Sequence, residues 1–142
     1  MEPVQDLQTF LDRSRGQAKL IYGDFNAGDV LLKDYRVRVD VEETVAIRTL
    51  IKEDVLIVTD PKLMRGLDYR SAEPEGMALL LTKQFPSKRT LKQALGRVGR
   101  FDEPCKRYRF DQMANLVDES LHYTSVGKLN SIVSEDKKKK TL

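Results

Sequence analysis

Residues 54–59, Asp54-Val55-Leu56-Ile57-Val58-Thr59, form an unbroken apolar run of β-branched character that stops at Thr59-Asp60. A strand exposed on one face alternates apolar and polar positions, whereas an uninterrupted run is the pattern of a parallel strand covered on both faces. A second such run is Met77-Ala78-Leu79-Leu80-Leu81-Thr82, and Ala18-Lys19-Leu20-Ile21-Tyr22 reads as a third, stopped by Gly23-Asp24. Arg107-Tyr108-Arg109-Phe110 is expected to be a last short strand. Tyr35, Val37, Val39 and Val41 alternate with charged residues, as a half-exposed strand does. Helical spacing falls between these runs. Val4, Leu7, Phe10 and Leu11 predict a helix ending at Arg15-Gly16. Residues 41–51 predict another, with Glu42 and Glu43 at the positive end of its dipole and Val45, Ile47, Leu50 and Ile51 on its apolar side. Pro86-Ser87 starts a helix over 88–98, and Met113, Leu116, Val117 and Leu121 predict a closing helix over 111–121. Residues 23–34 read as loop. Buried strands alternating with helices imply βαβ units with right-handed crossovers. The expected class is therefore α/β, three layers, with a mainly parallel sheet and helices on both faces.

At 142 residues the chain is long enough for one domain with a single core. No apolar run approaches the roughly 20 residues of a membrane span, so no membrane partner is expected. The first residues carry Glu2 and Asp6 and no apolar stretch of the secretory type. The single cysteine, Cys105, cannot form an internal disulfide, and no cluster has metal-ligand spacing. These features together predict a reducing compartment, cytoplasm or nucleus.

The formal charge of +3 is distributed unevenly. Without Lys137–Lys140 the chain holds 21 basic against 22 acidic residues. Residues 127–142 are expected to be a disordered basic tail. Inside the body, residues 83–109 carry nine basic side chains against Asp102 and Glu103, while residues 1–82 carry 11 basic against 15 acidic. A local positive field of this kind points to an anionic ligand.

Ligands of open α/β sheets bind outside the carboxyl ends of the strands. The run at 54–59 delivers Thr59, which offers a hydroxyl and an N–H to phosphate, and the following stretch holds Arg65, Gly66 and Asp68. Glycine permits close backbone approach, and an ionised aspartate can hold ribose hydroxyls. Within the basic stretch, residues 93–100 read Gln93-Ala94-Leu95-Gly96-Arg97-Val98-Gly99-Arg100. If the segment is helical, Gln93, Arg97 and Arg100 share one face. Each glycine inside a helix costs about 1 kcal/mol relative to alanine. Arginine binds phosphate oxygens in bidentate, charge-assisted pairs. There is no Gly-x-x-x-x-Gly-Lys-Ser/Thr loop.

Thr-Asp-x-x-x-x-Arg-Gly-Leu-Asp at 59–68, followed by Gln-x-x-Gly-Arg-x-Gly-Arg at 93–100, resembles motifs V and VI of superfamily 2 helicases. The resemblance covers residues 41–110 and implies that residues 1–126 are the second RecA-like lobe of an ATP-dependent RNA or DNA helicase or translocase. It implies that Arg97 and Arg100 are arginine fingers toward the γ-phosphate, with Gln93 beside them. Asp68 would contact the ribose in the loop opened by Gly66. Thr59, Asp60 and Arg65 would meet the nucleic-acid backbone. The implied cofactor is ATP with Mg²⁺, bound mainly by a first lobe that the sequence does not contain. The implied partners are single-stranded RNA or DNA and that first lobe, in cis or in trans.

The sequence departs from the family pattern at several places. Ala94 stands where an arginine is usual, and motif V has one residue more between Thr-Asp and Arg-Gly than DEAD-box members. No motif IV strand is recognisable at the start, and the alternating segment 35–41 has no counterpart. A degenerate lobe serving as a non-catalytic protein- or RNA-binding module is the rival expectation. Of the remaining polar and aromatic residues, His122 is read as structural or surface and Cys105 as a thiol in a turn. Lys137–Lys140 are read as a solvated run, Phe85 as core, and Tyr69 as a candidate for stacking on bases.

Overall fold

The computed structural model describes residues 1–23, 34–40, 50–59, 69–99, 103–113 and 115–121. The elements are β1 (Glu2–Val4), α1 (Leu7–Arg13), β2 (Ala18–Tyr22), β3 (Arg36–Asp40), β4 (Leu50–Ile51), β5 (Val55–Thr59), β6 (Arg70–Ser71), β7 (Met77–Leu81), α2 (Lys88–Leu95) and β8 (Cys105–Phe110). Six strands form one open sheet in the order β1-β8-β7-β2-β5-β3, and every pair is parallel. Strands β4 and β6 make a separate parallel pair.

The continuous apolar runs are buried because both sheet faces are covered. Successive side chains of a strand point to opposite faces. On one face, Leu20, Tyr22, Ile57, Met77, Leu79 and Leu81 pack with Ala94 of α2 and with Val98. On the other, Ile21, Leu56, Val58, Ala78 and Leu80 pack with Leu7, Phe10 and Leu11 of α1. Phe10 meets Tyr108 edge-on, ring centres 5.3 Å apart. The result is the three-layer α/β arrangement with helices on both faces that a RecA-like lobe requires.

Local chemistry sets the helix starts. The Asp6 carboxylate accepts from the Thr9 N–H at 2.8 Å and from its hydroxyl at 2.7 Å, so α1 begins at Leu7. Val4, expected inside that helix, instead closes β1, a short edge strand paired with β8. A strand therefore does precede the first helix. Ser87 and Thr90 form a reciprocal capping box that starts α2 at the expected place.

Three expected helices end or fail where tertiary bonds take over. Leu50 and Ile51 belong to β4, with Ile51 buried and Leu50 59% exposed, while residues 41–49 lie outside the described residues. The stretch expected to close the fold as a helix over 111–121 instead turns at 111–112, bridges to Phe85 at Val117 and, among its described residues, is helical only at 120–121. The Phe85 N–H donates to the Leu116 carbonyl at 2.8 Å, and the Asp118 N–H donates to the Phe85 carbonyl at 2.9 Å. Met113 and Leu116 still cover the α2-side core. The third case, α2 itself, bears on the site. The alternating segment is a strand, β3, which lies on β5 with Arg36 opposite Val55. Cys105 opens β8, half-buried, and does not sit in a turn. His122 and the tail at 127–142 lie outside the described residues. No helix among the described residues is long and apolar enough to cross a membrane.

Candidate functional site

The carboxyl ends of the three central strands are knitted together by backbone bonds. The Gly23 N–H donates to the Thr59 carbonyl at 2.9 Å, and the Thr82 N–H donates to the Tyr22 carbonyl at 3.0 Å. The Thr82 hydroxyl also donates to Tyr22 O, at 3.2 Å. Gly23 holds φ at +122°, and a Cβ there would overlap the Thr82 hydroxyl, so only glycine fits. From β2 the chain goes to β3 on one side of the sheet, and from β7 it goes to β8 on the other. Gly23 and Thr82 thus flank the point where the connections diverge, the usual position of a ligand crevice in open α/β sheets. Thr59 closes β5 beside them and is 2% exposed. Asp60, Arg65, Gly66 and Asp68 lie outside the described residues.

The segment at 93–99 is built differently from the expected helical face. Helix α2 stops at Leu95, and Gly96 is its C-cap with φ −71° and ψ −6°. The Arg97 and Val98 N–H groups reach back three residues, to Ala94 and Leu95, tightening the chain into a turn. Gly99 then takes φ +71°, where a Cβ would stand 2.8 Å from Cys105 Cβ. The glycines therefore end the helix and allow its exit, and neither lies inside it. Gln93 is exposed, Arg97 half-exposed, and Ala94 and Val98 are buried; Arg100 lies outside the described residues.

Two tyrosines fasten this turn to the sheet. The buried Tyr22 hydroxyl donates to the Ala94 carbonyl at 2.8 Å. The Tyr69 N–H, just after the 59–68 stretch, donates to the Arg97 carbonyl at 3.1 Å. Burial pushes the Tyr22 hydroxyl well above the usual tyrosine range and Tyr69 adds to the shift, while Arg97 and Arg107 oppose it. The Tyr22 hydroxyl thus remains protonated and available as a donor. Tyr69 is itself core, so its ring is not presented for stacking on bases, whereas Phe85 is core as expected. Sequence reasoning missed Tyr22. The available signal was a phenol at the end of a fully buried strand, which needs a hydrogen-bond partner.

Strand register separates the two candidate regions. Thr59 pairs with Tyr22, which pairs with Leu81, at the carboxyl end. Cys105, against which Gly99 rests, pairs with Met77, opposite Ala18, at the amino end. The two rows are roughly 13 Å apart along the strands at about 3.3 Å per residue. Thr59 and the Arg97–Gly99 turn therefore serve different ends of the sheet. A groove of about 710 Å³ beside α1, lined by Asp12, Arg15, Asp34, Tyr35, Glu53 and Glu73 among others, contains none of the motif residues. Among the described residues, no three His, Cys, Asp or Glu side chains are placed to hold a metal ion. Burial raises the Cys105 thiol above its ordinary range, although Arg107 beside it pulls the other way.

No family model and no curated protein matches the chain.

Proposed function

We propose that the chain is the second RecA-like lobe of an ATP-dependent RNA or DNA helicase or translocase. The observation that carries this reading is the Tyr69–Arg97 bond, which joins the exit of the motif V stretch to the first motif VI arginine on a parallel α/β sheet. Arg97 and Gln93 reach the surface as cationic and polar donors, a set suited to phosphate oxygens and not to a metal ion. Mg²⁺ and most of the triphosphate would be held by the first lobe, with Arg97 and Arg100 stabilising charge that develops during phosphoryl transfer. Asp68 and Gly66 would hold the ribose, and Asp60 and Arg65 the nucleic-acid backbone, whereas Thr59, expected beside them, is buried and would act only by holding the end of β5. The compartment proposed is cytoplasm or nucleus.

The test mixes the chain with a separately expressed first RecA-like lobe, ATP, Mg²⁺ and single-stranded RNA or DNA. Turnover is expected only in the mixture, and Arg97→Ala or Arg100→Ala should lower it about 10³-fold or more, as for other arginine fingers. Turnover by the chain alone, or a mixture indifferent to both substitutions, contradicts the reading.

A second reading is favoured by Ala94. The position where an arginine is usual is 3% exposed, and its carbonyl is occupied by Tyr22. A lobe altered in this way could serve as a non-catalytic protein- or RNA-binding module. Nucleic-acid binding without any rescued turnover would select that reading.

A further inference from the structure

Helix α2 carries a stripe of cations that the rest of the fold does not neutralise. Lys88, Arg89, Lys92 and Gln93 are all exposed. At 3.6 residues per turn they span an arc of about 140°, opposite the side that packs on the core. Elsewhere the described surface pairs several of its cations: Arg13 and Lys106 with Glu2, Arg15 with Asp12, and Arg36 with Asp54. The side chains of Lys88, Arg89 and Lys92 bond to none of the described residues. No acid occurs anywhere from Lys83 to Phe101. Lys88 and Arg89 also lie in the first turn of α2, which has no acidic residue. That is the positive end of the helix dipole, where cations are unfavourable and anions are welcome. The arrangement costs stability, and no described internal contact offsets it.

We propose that this face of α2 is a second phosphate-backbone contact surface for single-stranded nucleic acid, in addition to the one assigned to the residues that follow β5. It rests on the helicase-lobe reading only for the identity of the polyanion. An acidic protein surface is the poorer partner. Protein interfaces have an apolar centre and are depleted in lysine, whereas here Leu91 and Leu95 turn inward to the core and two of the three cations are lysines. Phosphates ask for no apolar centre, and their contacts are read by salt dependence.

The experiment titrates the full chain into a fluorescent oligouridylate or oligothymidylate without nucleotide, between about 50 and 200 mM salt. Each neutralised phosphate on a single strand contributes about 0.7 to the slope of log affinity against log salt. The triple variant Lys88→Gln/Arg89→Gln/Lys92→Gln is expected to lose about 2 from that slope. It should melt no lower than the wild type, because it removes cations from the positive end of α2, and Lys52→Gln should leave the slope unchanged. The inference is overturned if the triple variant keeps the wild-type slope, if only Lys137–Lys140→Gln lowers it, or if the wild-type chain does not bind. It is also overturned if the triple substitution weakens only association with the first lobe. Because no ATP is present, failure of the arginine-finger reading leaves this measurement intact.

Discussion

The backbone N–H of Tyr69 donates to the carbonyl oxygen of Arg97 at 3.1 Å, so the two stretches that resemble helicase motifs are held together by main chain. Side-chain substitutions at Arg97 leave that bond in place, whereas loss of the Tyr69 ring removes the packing that supports it. Tyr69→Ala is expected to cost about 3–5 kcal/mol, the range for truncating a buried aromatic side chain. Urea titration of both proteins checks this. A cost below about 1 kcal/mol would mean that the ring is dispensable to the turn.

Tyr22→Phe removes only a hydroxyl. The Ala94 carbonyl keeps a longer bond from the Arg97 N–H at 3.3 Å, so it is not fully orphaned. The expected loss is about 1 kcal/mol, the usual net value of one hydrogen bond. Amide hydrogen exchange of residues 94–98 should accelerate in the variant while that of β2 stays slow. Equal acceleration across the sheet would contradict a local role.

The two glycines of the 93–99 segment should respond differently to alanine. Gly99 has a left-handed φ, and its added Cβ would press on Cys105. Gly99→Ala should therefore cost about 2 kcal/mol or more from backbone strain and overlap. Gly96 has helical backbone angles, with the Lys92 carbonyl 3.3 Å from an added Cβ. Gly96→Ala should change stability by less than about 1 kcal/mol, because alanine gains helix propensity there. Thermal melts of the two variants decide it.

Ala94→Arg restores the residue usual in the resembling family, yet it should not restore function. The side chain would enter a closed core position beside Tyr22. Overpacking and a desolvated charge together predict a loss of more than about 2 kcal/mol. A variant as stable as wild type and active with a first lobe would show that α2 can shift outward.

Lys19 supplies a pH-dependent term. It is buried on β2, donates to the Gln17 carbonyl at 2.8 Å and lies over the Tyr35 ring. Burial lowers its pKa below the ordinary 10.5, against the opposing pull of Glu53 and Glu73. The folded state then holds this proton less tightly than the unfolded chain, so its contribution to stability rises as pH climbs through the folded value toward 10.5. The difference in melting midpoint between Lys19→Met and wild type should favour the variant at neutral pH and shrink on approach to pH 10. A constant difference would remove Lys19 as the cause.

The central strands were legible because both their faces are buried, which leaves an apolar run that few other structures share. The start of α2 was legible because Ser87 and Thr90 cap it within four residues. Its end was not. Gly96 has helical angles, and the chain leaves the helix because Gly99 must fit against Cys105 and Arg97 must meet Tyr69, both contacts with distant segments. The misreading of 111–121 has a related origin. Apolar residues every three or four positions also suit an extended segment laid across a core edge, and pairing with Phe85 made that choice. At the site, Gln93 is exposed, Arg97 half-exposed and Thr59 buried, while Asp60, Arg65, Gly66, Asp68 and Arg100 lie outside the described residues.

The strand order has a consequence for how the protein is made. Strand β2 is synthesised early, yet both its neighbours, β5 and β7, arrive more than thirty residues later. Among the described strands β1 comes first and pairs with β8, the last of them. Every pairing in the main sheet is parallel, so no hairpin can form to shelter the newborn chain. At a translation rate of about 5–20 residues per second, β2 waits seconds on the ribosome with both edges open. Parallel pairings of this range are also slow to close once the chain is complete. Chains truncated before Cys105 are therefore expected to be insoluble when expressed alone, a consequence of the same topology that gives the finished sheet its protected centre.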